Sequence, residues 1–484
     1  MGISSALNNA FSGLSAGARL AEVASGNISN ALTEGYAKRE AVVTGRMVGG
    51  IGMGVQIVSV ERQVDKALVQ DLRLAGANNV FQDTQAKFAA KLETAYGDPT
   101  TSTSLSARLA SFERAVVEAA ARPDSDARLQ SVVDTANQFA TGLKTASETV
   151  ATARQDADSA IARDVGFLNT TLKSVQELNA QITRMATRKE DTSAAMDQRQ
   201  KLIDQIGEII PLREVARDNL QVTLFSTTGV TLLDGRPAQF GFSSTTPITP
   251  TMTLATGALS GLTIDGKVVS ASPNGGKLGQ GRLAAQFELR DQTTVDAQNQ
   301  LDALARDLIE RTAGPGVDPT LATGEAGLFV DSLGPMAPLD EAGLAARISV
   351  NPTLTQSSGA SLWRLRDGMN AATQSAIFDP TLLQSIATRL TEDRPAAASQ
   401  FSAAGSFAEI LADAGSQAAT ARLSAETAAS FSAARTETLK TELLKNGVDT
   451  DDEMQDLMLI EQAYAANARV IQTVDDMLRT LLEI

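Results

Sequence analysis

The chain has 484 residues, neither His nor Cys, and 57 acidic against 42 basic side chains, a formal charge of −15. That balance leaves no surplus of cations to displace counterions from phosphates, which argues against a nucleic-acid partner. The missing imidazole and thiol remove the commonest proton shuttle, nucleophile and soft metal ligands, and no apolar run reaches the length of a membrane span, so no catalytic residue, cofactor, metal or membrane contact is expected.

Residues 3–32 carry a helical stripe at Ile3, Leu7, Phe11, Leu14, Ala18, Ala21, Ser25, Ile28 and Leu32. After Leu14 it is mostly small, so it buries little apolar area and would be marginal as an isolated helix. Asn27, Asn30 and Gly35 end it, and a glycine-rich stretch over 45–54 reads as a turn into a strand alternating at Val55, Ile57 and Ser59. No Lys-Ser/Thr pair follows to make that stretch a phosphate loop. Helical periods return from Arg62 to the Gly97-Asp98-Pro99 turn, and again through Leu105, Leu109, Phe112 and Val116 to Pro123. Residues 125–210 then show helical patterning without a proline, a length that demands a coiled coil or a helical hairpin, with the polar run 188–193 as a solvated face or a bend.

Pro211 closes that block, and short apolar runs separated by Thr, Gly, Pro, Asp234-Gly235 and Asp265-Gly266 read as a β-rich insert with an exposed linker over 243–251. Residues 280–312 are helical, a Gly/Pro-rich patch spans Gly314 to Ala342, and 348–350 reads as a strand. An Ala/Ser-rich helical stretch fills most of 370–445. The last helix has the clearest stripe: Leu457, Ile460, Tyr464, Asn467, Ile471, Val474, Leu478 and Leu481. Thr450 with Glu453 reads as its capping box, and Asp451 and Asp452 place charge at its N-terminus. A helix of roughly 30 residues would be about 45 Å long, and the opening helix is the candidate to cover it.

The fold class expected is mainly α: a long antiparallel helical bundle or coiled coil formed by the N- and C-terminal segments, with a small β-rich inserted domain. Residues 1–60 and 446–484 form the two halves of a terminal coiled-coil domain. Residues 61–211 and 280–445 form two parts of a helical bundle, the second with a Gly/Pro-rich and short-strand region at 313–360, and 212–279 is the insert. An exposed seam at one end is a polymerisation surface when copies meet head to tail.

The two ends together resemble the axial proteins of the bacterial flagellum and, more narrowly, the flagellar hook-associated protein 1 family. Asn27-Ile28-Ser29-Asn30-Ala31 and Thr33-Glu34-Gly35-Tyr36 are similar to that class's S-N-N-I-A-N-x-x-T-P-G-Y motif, with Gly26, Ser29 and Glu34 as departures. Gly52-Met53-Gly54-Val55 with Arg62 and Asp65, the Asp197-Gln198-Arg199 block, and the tail from Gly447 through Gln462-Ala463-Tyr464-Ala465-Ala466-Asn467 to Ile471 carry the narrower resemblance. It implies a structural protein of the hook–filament junction that assembles with itself. It would meet the hook protein on the proximal side and a second junction protein on the distal side, with a flagellar export chaperone as a further partner. Composition alone suggests a soluble cytoplasmic protein; the resemblance implies instead an extracellular place on the flagellum after type III export without a cleaved signal peptide.

The residues expected to carry assembly are Leu7, Phe11, Leu14, Asn27, Ile28, Asn30, Leu457, Ile460, Tyr464, Asn467, Ile471, Val474, Leu478 and Leu481. Asn467, a polar group on an apolar stripe, reads as a register device or as the edge of a drifting seam. Asp197 and Arg199 are two apart and do not face each other on a helix, so each is expected to pair elsewhere. The acidic group from Asp449 to Asp456 reads as a solvated helix start, since calcium loops need a tight glycine turn. The alternatives are another axial subunit, of the hook or the distal rod, and an exported cell-wall hydrolase working through two carboxylates.

Overall fold

Caps and stripes translate into a mainly helical chain whose ends return to each other. A computed structural model describes residues 2–33, 35–48, 51–332, 341–355, 361–395 and 404–482. Helix α1 (Ile3–Asn30) leads into strands β1 (Arg39–Val48) and β2 (Ile51–Arg62), then helices α2 (Lys66–Tyr96), α3 (Leu105–Ala121), α4 (Asp126–Thr187) and α5 (Ser193–Ile209). The Asp65 carboxylate accepts from the backbone of Ala67 and Leu68 to start α2, and Ser104 caps α3. Strands β3 (Leu212–Ala216), β4 (Val222–Ser226), β5 (Thr231–Asp234) and β6 (Arg236–Pro237) form one antiparallel sheet; β7 (Phe240–Gly241), β8 (Leu262–Ile264) and β9 (Lys267–Val269) form a second.

Helix α6 (Arg282–Glu288) continues through a π turn (Leu289–Thr293) into α7 (Thr294–Arg311). Strand β10 (Phe329–Asp331) pairs with β11 (Ile348–Val350) around the short helix α8 (Leu344–Arg347). Two further short helices, α9 (Pro352–Thr355) and α10 (Arg364–Asp367), precede α11 (Thr381–Thr391) and the strand pair β12 (Arg394–Pro395) and β13 (Ala404–Gly405). Helix α12 (Phe407–Lys445), opened by a Ser406/Glu409 capping box, returns along α2, and α13 (Thr450–Leu482) returns along α1.

The expected 125–210 block resolves into one 62-residue helix and a shorter one that folds back on it. The bend is the polar run itself, with Lys189 at φ 55° and the Asp191 carboxylate accepting from the Ser193 backbone. Helix α4, about 90 Å long by rise, organises the body. Its first half packs with α3, α7, α11 and α12 around Phe112, Phe139, Leu301, Leu304 and Phe407. Edge-to-face ring pairs, Phe112 with Phe329 at 5.5 Å and Phe139 with Phe407 at 5.9 Å, lie in that core. Its second half packs with α5 and both small sheets around Ile161, Leu168, Leu172, Ile206 and Leu224.

The buried charges of Arg154, Asp158, Arg199 and Arg290 in the body are ion-paired or hydrogen-bonded, as burial requires. Arg290 meets Asp158 at 2.8 Å with both side chains fully buried. The linker at 243–251, expected as merely exposed, is mostly so but fastened. Asp158 accepts from the Thr245 backbone, and Gln155 and Arg154 hold the carbonyls of Thr245, Thr249 and Met252.

One element differs from expectation. The glycine-rich stretch, expected to feed one strand, joins two, and β1 and β2 form an antiparallel ribbon from Arg39 opposite Arg62 outward. Two bulges interrupt its register, at Val42/Val43 and Gly45/Met47. The glycines at 49–50, the residues 333–340 and 396–403 of the expected Gly/Pro-rich and Ala/Ser-rich stretches, and Glu34 lie outside the described residues.

Candidate assembly tip

Helix α1, the ribbon and α13 form a tip of their own. Its helices approach through small residues. A Cβ built on Gly13 would stand 2.6 Å from the Asn467 amide, and one on Gly17 would stand 3.6 Å from the Tyr464 ring. Gly13 thus meets the later residue of α13 and Gly17 the earlier one, so the helices run antiparallel. On α1 the buried line is Ala10, Ala16, Gly17, Ala24 and Asn27, one residue ahead of the expected stripe and therefore about 100° around the helix.

Of the expected stripe, Leu7, Leu14, Ile28 and Asn30 are half-buried, Ala18 and Ser25 are exposed, Phe11 is 57% exposed and Leu32 is 98% exposed. The physical reason is that interaxial distance follows side-chain size. The glycine and alanine face lets α13 approach closely, and the larger side chains flank the contact.

On α13 the stripe faces α1 where sequence periodicity puts it. Val474 is buried; Leu457, Ile460, Asn467 and Ile471 are half-buried; Tyr464 and Leu478 flank the contact at 46% and 40% exposure. The Leu481 side chain lies outside the described residues. Asn467 sits against Gly13 while its amide donates to its own helix at the Ala463 carbonyl, 3.0 Å away. Its contact with α1 is therefore steric. A second line on α13, Leu459, Ala463, Ala466, Val470 and Met477, stays exposed. It repeats at spacings of three and four one residue ahead of the first, a signal the sequence already held.

The helix start also differs from expectation. The Asp449 carboxylate, not Thr450, accepts from the Asp451 and Asp452 backbone at 2.9 and 3.3 Å. Glu453, almost fully buried, turns to Lys38 at 3.0 Å. The hydrogen bond to Glu453 raises the Lys38 ammonium above its ordinary value.

Asn27, 1% exposed, explains the spacing of its motif in chemical terms. Its carbonyl oxygen accepts from the Tyr36 hydroxyl and the Arg39 backbone, each at 2.9 Å, and its amide donates to the Arg39 carbonyl at 2.8 Å. One side chain therefore turns the chain from α1 into β1. Asn30 donates to the Gly26 carbonyl and closes the helix end. Strand β2 then crosses α1 at Gly54. There φ is +90°, the Ser12 hydroxyl occupies the place of a Cβ, and the Val55 backbone donates to that hydroxyl.

Tip and body meet through charge. Asp197 at the start of α5 takes Arg39 at 3.1 Å and Arg62 at 2.8 Å, and Asp191 takes Arg19 at 3.3 Å. Arg199 turns the other way, to Asn179 and the Leu220 carbonyl. Burial pushes the Asp191 carboxyl up, but the Ser193 hydrogen bonds and the Arg39 and Arg19 charges outweigh it and leave it below its usual value.

Comparison with known proteins bears on both parts. Residues 89–313 match the family model described as the flagellar hook-associated protein FlgK helical domain, and residues 443–484 match that of the flagellar basal body rod FlgEFG protein C-terminal region. Flagellar hook-associated protein 1 of Salmonella typhimurium is 27% identical over 244 residues, a match that covers 49% of this chain and 44% of that protein's length. The protein of the same name in Bacillus subtilis is 22% identical over 98% of this chain and 96% of its own. A solved structure of the flagellar hook junction protein FlgK from Burkholderia pseudomallei aligns over 54% of this chain and 46% of its own, at 18% identity and a TM-score of 0.42. The helical body is thus similar to the helical domain of flagellar hook-associated proteins, and the last helix of the tip to the C-terminal region of flagellar rod proteins. Taken together, the chain is similar to the flagellar hook-associated protein 1 family of flagellar axial proteins.

Proposed function

We propose that the chain is a structural subunit of the bacterial flagellum that forms the first layer of the hook–filament junction, with its tip as the surface through which copies stack. The observation that carries this reading is the make-up of the tip. Its helices meet through glycine and alanine and leave Phe11, Leu32, Leu459, Val470 and Met477 exposed, and apolar side chains arrayed along one element call for a further covering surface. Repetition of one such contact head to tail gives a ring or helix of copies.

The assembly residues are Leu7, Phe11, Leu14, Asn27, Ile28, Asn30, Leu457, Ile460, Tyr464, Asn467, Ile471, Val474, Leu478 and Leu481. In this reading the Asn27 clasp and the Gly13–Asn467 contact shape the tip, and the flanking apolar groups meet other copies. The body bears load and has no catalytic role. Hook protein lies on the proximal side, a second junction protein on the distal side, and an export chaperone accompanies the chain to the flagellar channel, outside which it assembles. The helical-domain match favours this position over a hook or rod subunit.

Immunolabelling of isolated hook–basal bodies is expected to mark only the far end of the hook; label along the whole hook overturns the junction reading. Deletion of residues 457–484 is expected to leave a folded monomer that no longer joins the hook, and normal junctions built without that helix would refute the tip as the assembly surface.

A further inference from the structure

The hydrophobic clusters of the body contain no residue of α1, the ribbon or α13 among the described residues. The buried apolar groups of the tip, Ala10, Ala16, Ala24 and Val474, belong to none of them. Among the described residues, what crosses from tip to body includes the pair of ion contacts on Asp197, the Arg19–Asp191 contact, the approach of Gly35 to the stem of Lys201 and the two chain connections at 63–65 and 446–449. The ribbon's root gives the central contact its meaning. Arg39 and Arg62 are direct cross-strand partners, and like charges placed opposite destabilise a strand pair. The carboxylate that relieves them sits on another element, α5, with its side chain about as buried as theirs.

We propose that the tip articulates on the body at an ionic joint centred on Asp197. The tip can change its angle by loosening ion pairs to water without exposing a hydrophobic core, since apolar burial is what makes an interface rigid at moderate cost and none is at stake here. Salt screens such part-buried pairs less than surface ones, so it takes high ionic strength, about 1 M, to free the joint. Tyr36, stacked under the Arg39 guanidinium at 4.9 Å and hydrogen-bonded to Asn27, keeps Arg39 with the tip when the joint opens.

The absence of native cysteine lets two spin labels be placed uniquely in the full chain, at Gln472→Cys on α13 and Lys173→Cys on α4, both exposed. Pulsed electron resonance is expected to give a narrow tip-to-body distance distribution at low salt that broadens roughly twofold near 1 M salt. The Asp197→Asn chain is expected to show the broad distribution already at low salt, with the thermal midpoint of the body unchanged. The salt titration of the chain with Asp197 intact tests the joint even if that variant fails to fold. A distribution that stays narrow in high salt, or one already broad at low salt with Asp197 intact, overturns the proposal.

Discussion

The body and the tip are both built around helices, but by opposite means. In the body, Phe, Leu and Ile from helices far apart in the chain fill two continuous cores, and charges are buried only where a partner is at hand, as with Arg311 and Asp307. In the tip, α1 offers a Gly and Ala face to the stripe of α13, the large side chains of α1 flank that face, and the joins are single polar side chains, Asn27 and Asp197. Burial of small residues contributes little apolar area, so the tip is held by fit and the body by mass.

The largest expected effect lies in the body. Phe139→Ala removes a fully buried ring and its partner contact with Phe407; a loss of about 3–5 kcal/mol is expected, read as a lower denaturant midpoint. The tip should respond differently to an added side chain. Gly13→Leu places atoms where the Asn467 amide stands and should cost about 1–3 kcal/mol of tip stability. Hydrogen exchange would show this as lost protection in α1 and α13 alone. If α2 and α12 lose protection as well, the two parts are not separate in this respect.

A pH series sharpens the contrast from the body's side. Burial pushes the Asp302 carboxyl up to about 6, against the Ala345 and Gly343 N–H groups and the Gln298 amide that favour its charged form. Its native value lies above the unfolded one, so the native state binds the proton more tightly. The stabilisation from this group is full below the unfolded value and is lost as pH rises through about 6. Body stability attributable to it should fall by on the order of 1–3 kcal/mol between pH 4 and 7, and Asp302→Asn should flatten that part of the curve. The smallest effect tests the helix start. Asp449→Ala should cost about 1 kcal/mol of α13 stability and Thr450→Ala much less, as measured by the helix's exchange rates; the reverse order would restore Thr450 as the cap.

What the sequence made legible follows the same division. The α13 stripe, the long helices, the bend near 188–193 and the strand-rich switch after Pro211 were readable because apolar periodicity and turn residues mark them. The α1 contact was displaced by one residue because periodicity weights Phe11 and Leu14, whereas close approach selects Gly13 and Gly17. The stretch from Tyr36 was legible as extended but not as a strand paired with β2, because that pairing depends on a turn and on α1 beneath it. Asp197 was readable as a residue with a partner elsewhere. Its partners were not, since 158 and 135 positions separate it from Arg39 and Arg62, and no local pattern encodes such a distance.

The Gly13–Asn467 contact joins the first helix of the chain to the last. Whatever order the middle takes, α1 can settle on the neighbouring ribbon early but meets α13 only late, because a contact between such distant positions must wait for everything between them. Closure of the tip is thus a report that the chain through α13 has arrived, and a copy cut short before α13 could complete its body yet leave its tip open.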